Sequence, residues 1–118
     1  MNLFKVVFHI DEMYKWALTL GNARNFIKDI GIAEYYIEIV ANAEAVKIFA
    51  GSNKEEIHEL LQDMERLVQQ GIKIMACRNA LQANAVRETD LPKYVTVVSA
   101  GITRLVMLQG QGYCYIKP

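Results

Sequence analysis

The sequence has no surplus of charge of either sign. Thirteen basic and thirteen acidic residues cancel among 118. General nucleic-acid binders and proteins of acidic membrane surfaces show a basic excess, so neither a nucleic acid nor a membrane is expected as a partner. No run reaches the roughly 18 apolar residues of a membrane span. The opening stretch, MNLFKVVFHIDE, has no basic region followed by an apolar run and a small-residue cleavage site. It reads as a first strand. Cysteine is scarce: Cys77 and Cys114 are far apart and form no CxxC. In an unsignalled chain they are expected to be reduced thiols in the cytoplasm. The two histidines and two cysteines lack metal-ligand spacing, so no metal or other cofactor is expected. Internal repeats, low-complexity segments and linkers are also missing.

What is abundant is apolar residues, at 53% against 22% charged. A chain of this length suits a single domain over residues 1–118 and buries on the order of 65% of its unfolded surface. So apolar a composition in so small a domain suggests a parallel sheet buried on both faces, and also a subunit interface. The protein is therefore expected not to be a monomer.

The apolar residues fall into alternating periods. Leu3 to Ile10 form a near-continuous apolar strand. Met13, Trp16, Ala17, Leu20, Ala23, Ile27 and Ile30 share one helical stripe, with Asp11 as a candidate cap and Gly31 as a stop, predicting a helix over 12–30. A second strand covers about 34–41. The segment 43–50 fits either a short helix or an irregular apolar turn. Next comes SNKEEIHELLQDMERLVQQG, a helix with capping-box spacing at Ser52/Glu55 or Asn53/Glu56, ended by Gly71. A third strand runs from Ile72 to Ala76, and a short helix over 79–86. A fourth strand covers Tyr94 to Val98. A helix follows over about 101–109 with Ser99 as its candidate cap, and the last strand covers Tyr113 to Ile116. This β-α-β-α-β-α-β-α-β order predicts an α/β fold: a three-layer α/β/α sandwich on a mainly parallel five-stranded sheet.

Ligands of such sheets bind outside the carboxyl ends of the strands. Those ends carry His9, Asp11 and Glu12; Ala41, Asn42 and Glu44; Cys77, Arg78 and Asn79; and Ser99, Ala100 and Gly101. The first strand–helix turn has no glycines, so there is no dinucleotide fingerprint, and no Walker A motif is present. Ser99, His9 and Asp11 do not sit in a nucleophile-elbow sequence. Cys77 draws attention for three reasons. It ends a strand, it precedes a short helix whose amides and dipole favour an anion, and Arg78 adds a cation. Each favours the nucleophilic thiolate. Free cysteine is also among the most buried residue types, so a purely packing role stays open. His9 is either a proton shuttle at the cleft or a histidine bonded to nearby backbone. Ser99 is either a cap or part of an anion site. His58 is expected to be solvated, and Cys114 to pack.

Four stretches together resemble the DsrE/DsrF-like (YchN-like) family. They are KVVFHIDE, IEIVANAEAVKIF, GIKIMACRNAL and VSAGITRLVMLQGQGYCYIKP, and they span nearly the whole chain. The resemblance implies a three-layer α/β/α domain that assembles into homo-oligomers, often trimers or hexamers. In sulfur-relay members a cysteine at the position of Cys77 carries sulfur as a persulfide. Two departures stand out. A His-Gly type turn often follows the second strand of the family, where this chain has Ala41-Asn42-Ala43. Cys114 stands where a small residue such as alanine is expected.

Two functions are therefore expected to compete. In the first, Cys77 holds sulfane sulfur taken from a donor and relays it to an acceptor protein. Arg78 and the helix start would stabilise the anion, Asn79 would bond the outgoing sulfur, and His9 would donate a proton. Asn42 and Ser99 would line the cleft. In the second, the protein is a non-catalytic homo-oligomer that binds a small ligand or a protein partner. A one-cysteine redox sensor is a third reading.

Overall fold

A computed structural model describes residues 2–118. The chain runs through strand β1 (Leu3–Ile10), helix α1 (Trp16–Ile30), β2 (Glu34–Ala41), α2 (Glu55–Gln69), β3 (Lys73–Cys77), α3 (Arg78–Ala83), β4 (Val95–Val98), α4 (Gly101–Gly110) and β5 (Cys114–Ile116). Short 3-10 turns cover Met13–Lys15, Ala43–Phe49 and Glu88–Asp90. The five strands form one sheet in the order β4-β3-β2-β1-β5, and every pairing is parallel. This is the expected α/β sandwich, with the sheet wholly rather than mainly parallel. Among the described residues no helix is long and apolar enough to cross a membrane.

Alternation along the strands sorts side chains between two unequal faces. Val6, Phe8, Ile10, Ile37, Ile39, Ile74 and Ala76 pack with Trp16 and Leu20 of α1, Met64 and Leu67 of α2, and Leu81 of α3. Each large apolar side chain buried here contributes about 1.5–3 kcal/mol. The opposite face is smaller. There Val7, Val40 and Met75 meet Leu105 and Leu108 of α4, with Val98 and Tyr113 packed at the margin.

The ambiguous segment 43–49 is a 3-10 helix with four buried residues. Trp16 fixes it: the indole is fully buried, donates to the Ala45 carbonyl at 2.9 Å and meets the Phe49 ring edge-on. Several predicted caps are not caps. Asp11 bonds Lys117 at 3.1 Å, and α1 starts at Trp16 after a tighter 3-10 turn. Ser52 Oγ accepts from the Lys54 amide before α2 begins, and Lys54 holds the cap position. Ala100, not Ser99, precedes α4. His58 is exposed as expected, and its Nε2 lies 2.7 Å from the Ser52 carbonyl oxygen.

Connectivity positions the site. The chain steps from β1 through β2 and β3 to β4 across four of the five strands, with α1, α2 and α3 on one face. The final connection crosses back over the other face through α4 and adds β5 beside β1. Neighbouring strands β3 and β4 therefore send their carboxyl-end loops to opposite faces. Such a switch point opens the crevice where open α/β sheets bind ligands. Cys77 pairs with Val98 at that crevice.

Candidate functional site at the β3–β4 switch point

Residues at the ends of four strands meet on the α4 side of the carboxyl edge. Cys77 is the last residue of β3, extended at φ −72° and ψ 120°, and precedes the six-residue α3. It retains 7% of its surface. Gly101, the first residue of α4, lies against it. A methyl group on Gly101 would stand 3.1 Å from Asn42 Cβ, 3.4 Å from Cys77 Cβ and 3.5 Å from Val40 Cγ1. A glycine here lets the start of α4 approach the strand ends closely. The amides of a helix's first turn have no partners within the helix, and they carry its positive end. Here that end lies against Cys77 Cβ, and the Cys77 side chain also joins the larger core cluster.

Asn42 follows β2, and His9 lies in β1. The imidazole of His9 is 8% exposed and bonds two side chains. Its Nε2 is 2.9 Å from Asn42 Oδ1, and its Nδ1 is 2.5 Å from the Tyr115 hydroxyl. Both partners are side chains, not the backbone group that a strand-end histidine usually finds. The structure thus gathers Cys77, Asn42 and His9 along one edge and adds Tyr115, which was not among the sequence candidates. Tyr115 faces the same side because it pairs with Val7, two residues before His9. The signal for it was the alternation of the last strand. The neighbour of that strand was not readable from sequence.

The remaining candidates stand apart. Arg78 is exposed and its guanidinium engages both oxygens of Glu88, at 2.9 and 3.5 Å. That hydrogen bond and the Glu88 charge raise the Arg78 pKa above its ordinary value. Its charge is therefore directed at Glu88. Asn79 is exposed on α3. Ser99 is exposed too, in a shallow hollow of about 210 Å³ with Thr103, Arg104 and Met107.

A larger groove of about 630 Å³ lies on the opposite face, between α1 and the β1–β5 edge. Phe4, Phe26, Cys114 and Ile116 line it. Cys114 is exposed there, contrary to the expectation that it packs, because no helix covers β5 on this face.

An all-parallel sheet with a cysteine at its switch point defines a class of small α/β proteins with strand-end sites. Within that class the particular family is clear: the chain matches the DsrE/DsrF-like family over residues 1–118 and belongs to it. Among solved structures it is similar to MTH1491 of Methanobacterium thermoautotrophicum, a protein of unknown function. The two are 33% identical over 98% of this chain and 99% of that one, with a TM-score of 0.82. It shares its fold with YchN of E. coli at 11% identity, covering 98% and 99% of the two chains, with a TM-score of 0.76. BT1422 of Bacteroides thetaiotaomicron, also of unknown function, is 22% identical over 97% and 94%, with a TM-score of 0.71. No curated protein sequence matches the chain.

Proposed function

We propose that this protein is a sulfur carrier that holds sulfane sulfur on Cys77. Membership of the DsrE/DsrF-like family suggests sulfur relay at the family level. The observation that carries the reading here is the position of Cys77: it ends β3 at the switch point, with the start of α4 against its Cβ. Helix amides beside a sulfur favour its anionic form.

The transfer balances without an oxidant. Cys77 Sγ, as thiolate, attacks the outer sulfur of a donor persulfide R–S–SH. The Sγ–S bond forms as the donor S–S bond breaks, and the donor leaves as thiolate R–S⁻. The proton stays on the transferred sulfur, giving Cys77–S–SH. An acceptor thiolate then takes that outer sulfur by the same exchange, and Cys77 returns to thiolate. Such chemistry needs reduced thiols and suits the cytoplasm. The carrier works as a homo-oligomer, a trimer or hexamer on the family pattern. Exposed Ile102, Val106 and Met107 on α4 support an apolar subunit contact.

The test is mass spectrometry of the native protein after exposure to polysulfide. One added sulfur on Cys77, removed by reductant and absent in Cys77→Ser, is the expected result. No sulfur on Cys77 overturns the reading.

The burial of Cys77 favours a second reading, a non-catalytic oligomer that binds a ligand or protein partner. In that case Cys77→Ala keeps function and sulfur is not acquired.

A further inference from the structure

We propose that the groove between α1 and the β1–β5 edge binds a small organic cation, an aromatic ring carried on a short alkyl ammonium. The groove lies on the sheet face away from α4, and the proposal stands independently of the sulfur-carrier reading.

Strand order creates the groove. β5 joins β1 at the edge of the sheet, and α4, which leads into it, packs on the other face. On the α1 side Cys114 and Ile116 therefore stay exposed, beside Phe4 of β1 and Phe26 of α1. The volume, about 630 Å³, falls among small-molecule sites, which run from roughly 300 to 1,000 Å³ and are mostly apolar with a few polar groups. The Phe4 and Phe26 rings meet edge to face, with centroids 5.4 Å apart and planes at 87°. Such a pair offers a third ring both an edge and a face, the two contacts that aromatic rings favour.

Charge selects among apolar ligands. Two charged side chains line the groove, Lys5 and Asp29. The ammonium of Lys5 is committed elsewhere: it donates to the Gln111 carbonyl at 3.0 Å and lies 5.8 Å from the centre of the Tyr113 ring. Asp29 has no ion pair among the described residues. The free charge lining the groove is therefore negative. Phe26 and Asp29 are three residues apart on α1, so their Cβ atoms are neighbours about 5–6 Å apart. A ring resting on Phe26 places an ammonium on a two-carbon spacer within reach of the carboxylate. Asn25 lines the same wall and offers an amide oxygen as a second acceptor. An anionic ligand would meet Asp29 with like charge, and a wholly apolar one would leave it to water.

The experiment titrates the native protein with tryptamine, with tryptophol as its neutral counterpart and with indole-3-propionate as its charge-reversed one. Amide NMR reports affinity and location. Protection from iodoacetamide, read by peptide mass spectrometry, compares Cys114 in the groove with Cys77 outside it. Tryptamine should shift residues around Phe4 and Phe26 and protect Cys114 alone. It should bind about fivefold more tightly than tryptophol, the scale of a partly exposed ion pair, with indole-3-propionate weakest. Asp29→Asn should abolish the preference for the amine and leave tryptophol unchanged. Phe26→Leu should weaken tryptamine and tryptophol alike by about threefold, through the lost ring contact. Asp29 is exposed, so its variant should fold, and melting temperatures check both variants. Equal binding of the three probes, a preference surviving in Asp29→Asn, or protection of Cys77 instead of Cys114 overturns the proposal. So does a dimer by light scattering in which Cys114 is already unreactive, since a second copy would then fill the groove.

Discussion

Glu38 lies buried beneath α4, and Arg104 of that helix engages both its oxygens, at 2.9 and 2.6 Å. On the α4 face this ion pair joins Leu105 and Leu108 in fixing the helix to the sheet. It thereby helps to set where Gly101 meets Cys77. The bond to Glu38 also raises the Arg104 pKa above its ordinary value.

Removing one partner of this pair should cost far more than removing both. Arg104→Met leaves a buried carboxylate without its counter-charge, at a cost of about 3–5 kcal/mol. Replacing both groups, as Glu38→Leu with Arg104→Met, should recover most of that loss. Urea denaturation of the single and the double variant checks this. Equal losses in the single and double variants would refute the pairing account.

The elements were legible because their signals are local. Period-2 and period-3.6 patterns and the glycines at 31 and 71 marked strands, helices and stops close to where they occur. The misses involve distant partners. Asp11 looks like a cap in its own neighbourhood, yet Lys117 reaches it from the far end of the chain. Arg78 is next to Cys77 in sequence, but Glu88 takes its charge. Cys114 alternates like a packed residue and is exposed because β5 lacks a helix on that side. Tyr115 joins the site only because β5 docks on β1, and strand order is a property of the whole sheet. Cys77, Asn42 and His9 were readable as strand ends. Their common side came from register.

Tyr94 should give the protein a distinct alkaline response. Its hydroxyl donates to the Leu61 carbonyl at 3.1 Å. Burial, with the charge of Glu65 adding to it, pushes its pKa from 10.0 up to about 12. The folded state therefore holds this proton more tightly than the unfolded chain does. The resulting stability is fully present below pH 10 and is lost as the pH rises from 10 toward 12. Tyr94→Phe should cost about 1 kcal/mol at neutral pH through the lost hydrogen bond. It should also remove the stability loss that this phenol causes in the alkaline range. Denaturation midpoints measured across that range check both effects. A slope unchanged in Tyr94→Phe would place the alkaline response in another group.

The anion at Cys77 should owe more to α4 than to Arg78. The Arg78 guanidinium is exposed, solvated and bound to Glu88, and charges so placed act weakly on a neighbour. Arg78→Gln should therefore leave the Cys77 alkylation rate within about twofold of wild type. Gly101→Ala tests the alternative source. Alanine gains up to about 1 kcal/mol over glycine in a helix. Its methyl, however, would meet Asn42 Cβ at 3.1 Å and Cys77 Cβ at 3.4 Å. Those atoms are fixed to strand ends and cannot swing aside, so overpacking at about 1–3 kcal/mol outweighs the gain. The start of α4 should move away from the sulfur, and the Cys77 rate should fall more than in Arg78→Gln. Alkylation kinetics at one neutral pH on the two variants decide between the sources. A large loss in Arg78→Gln, with none in Gly101→Ala, would return the role to the arginine.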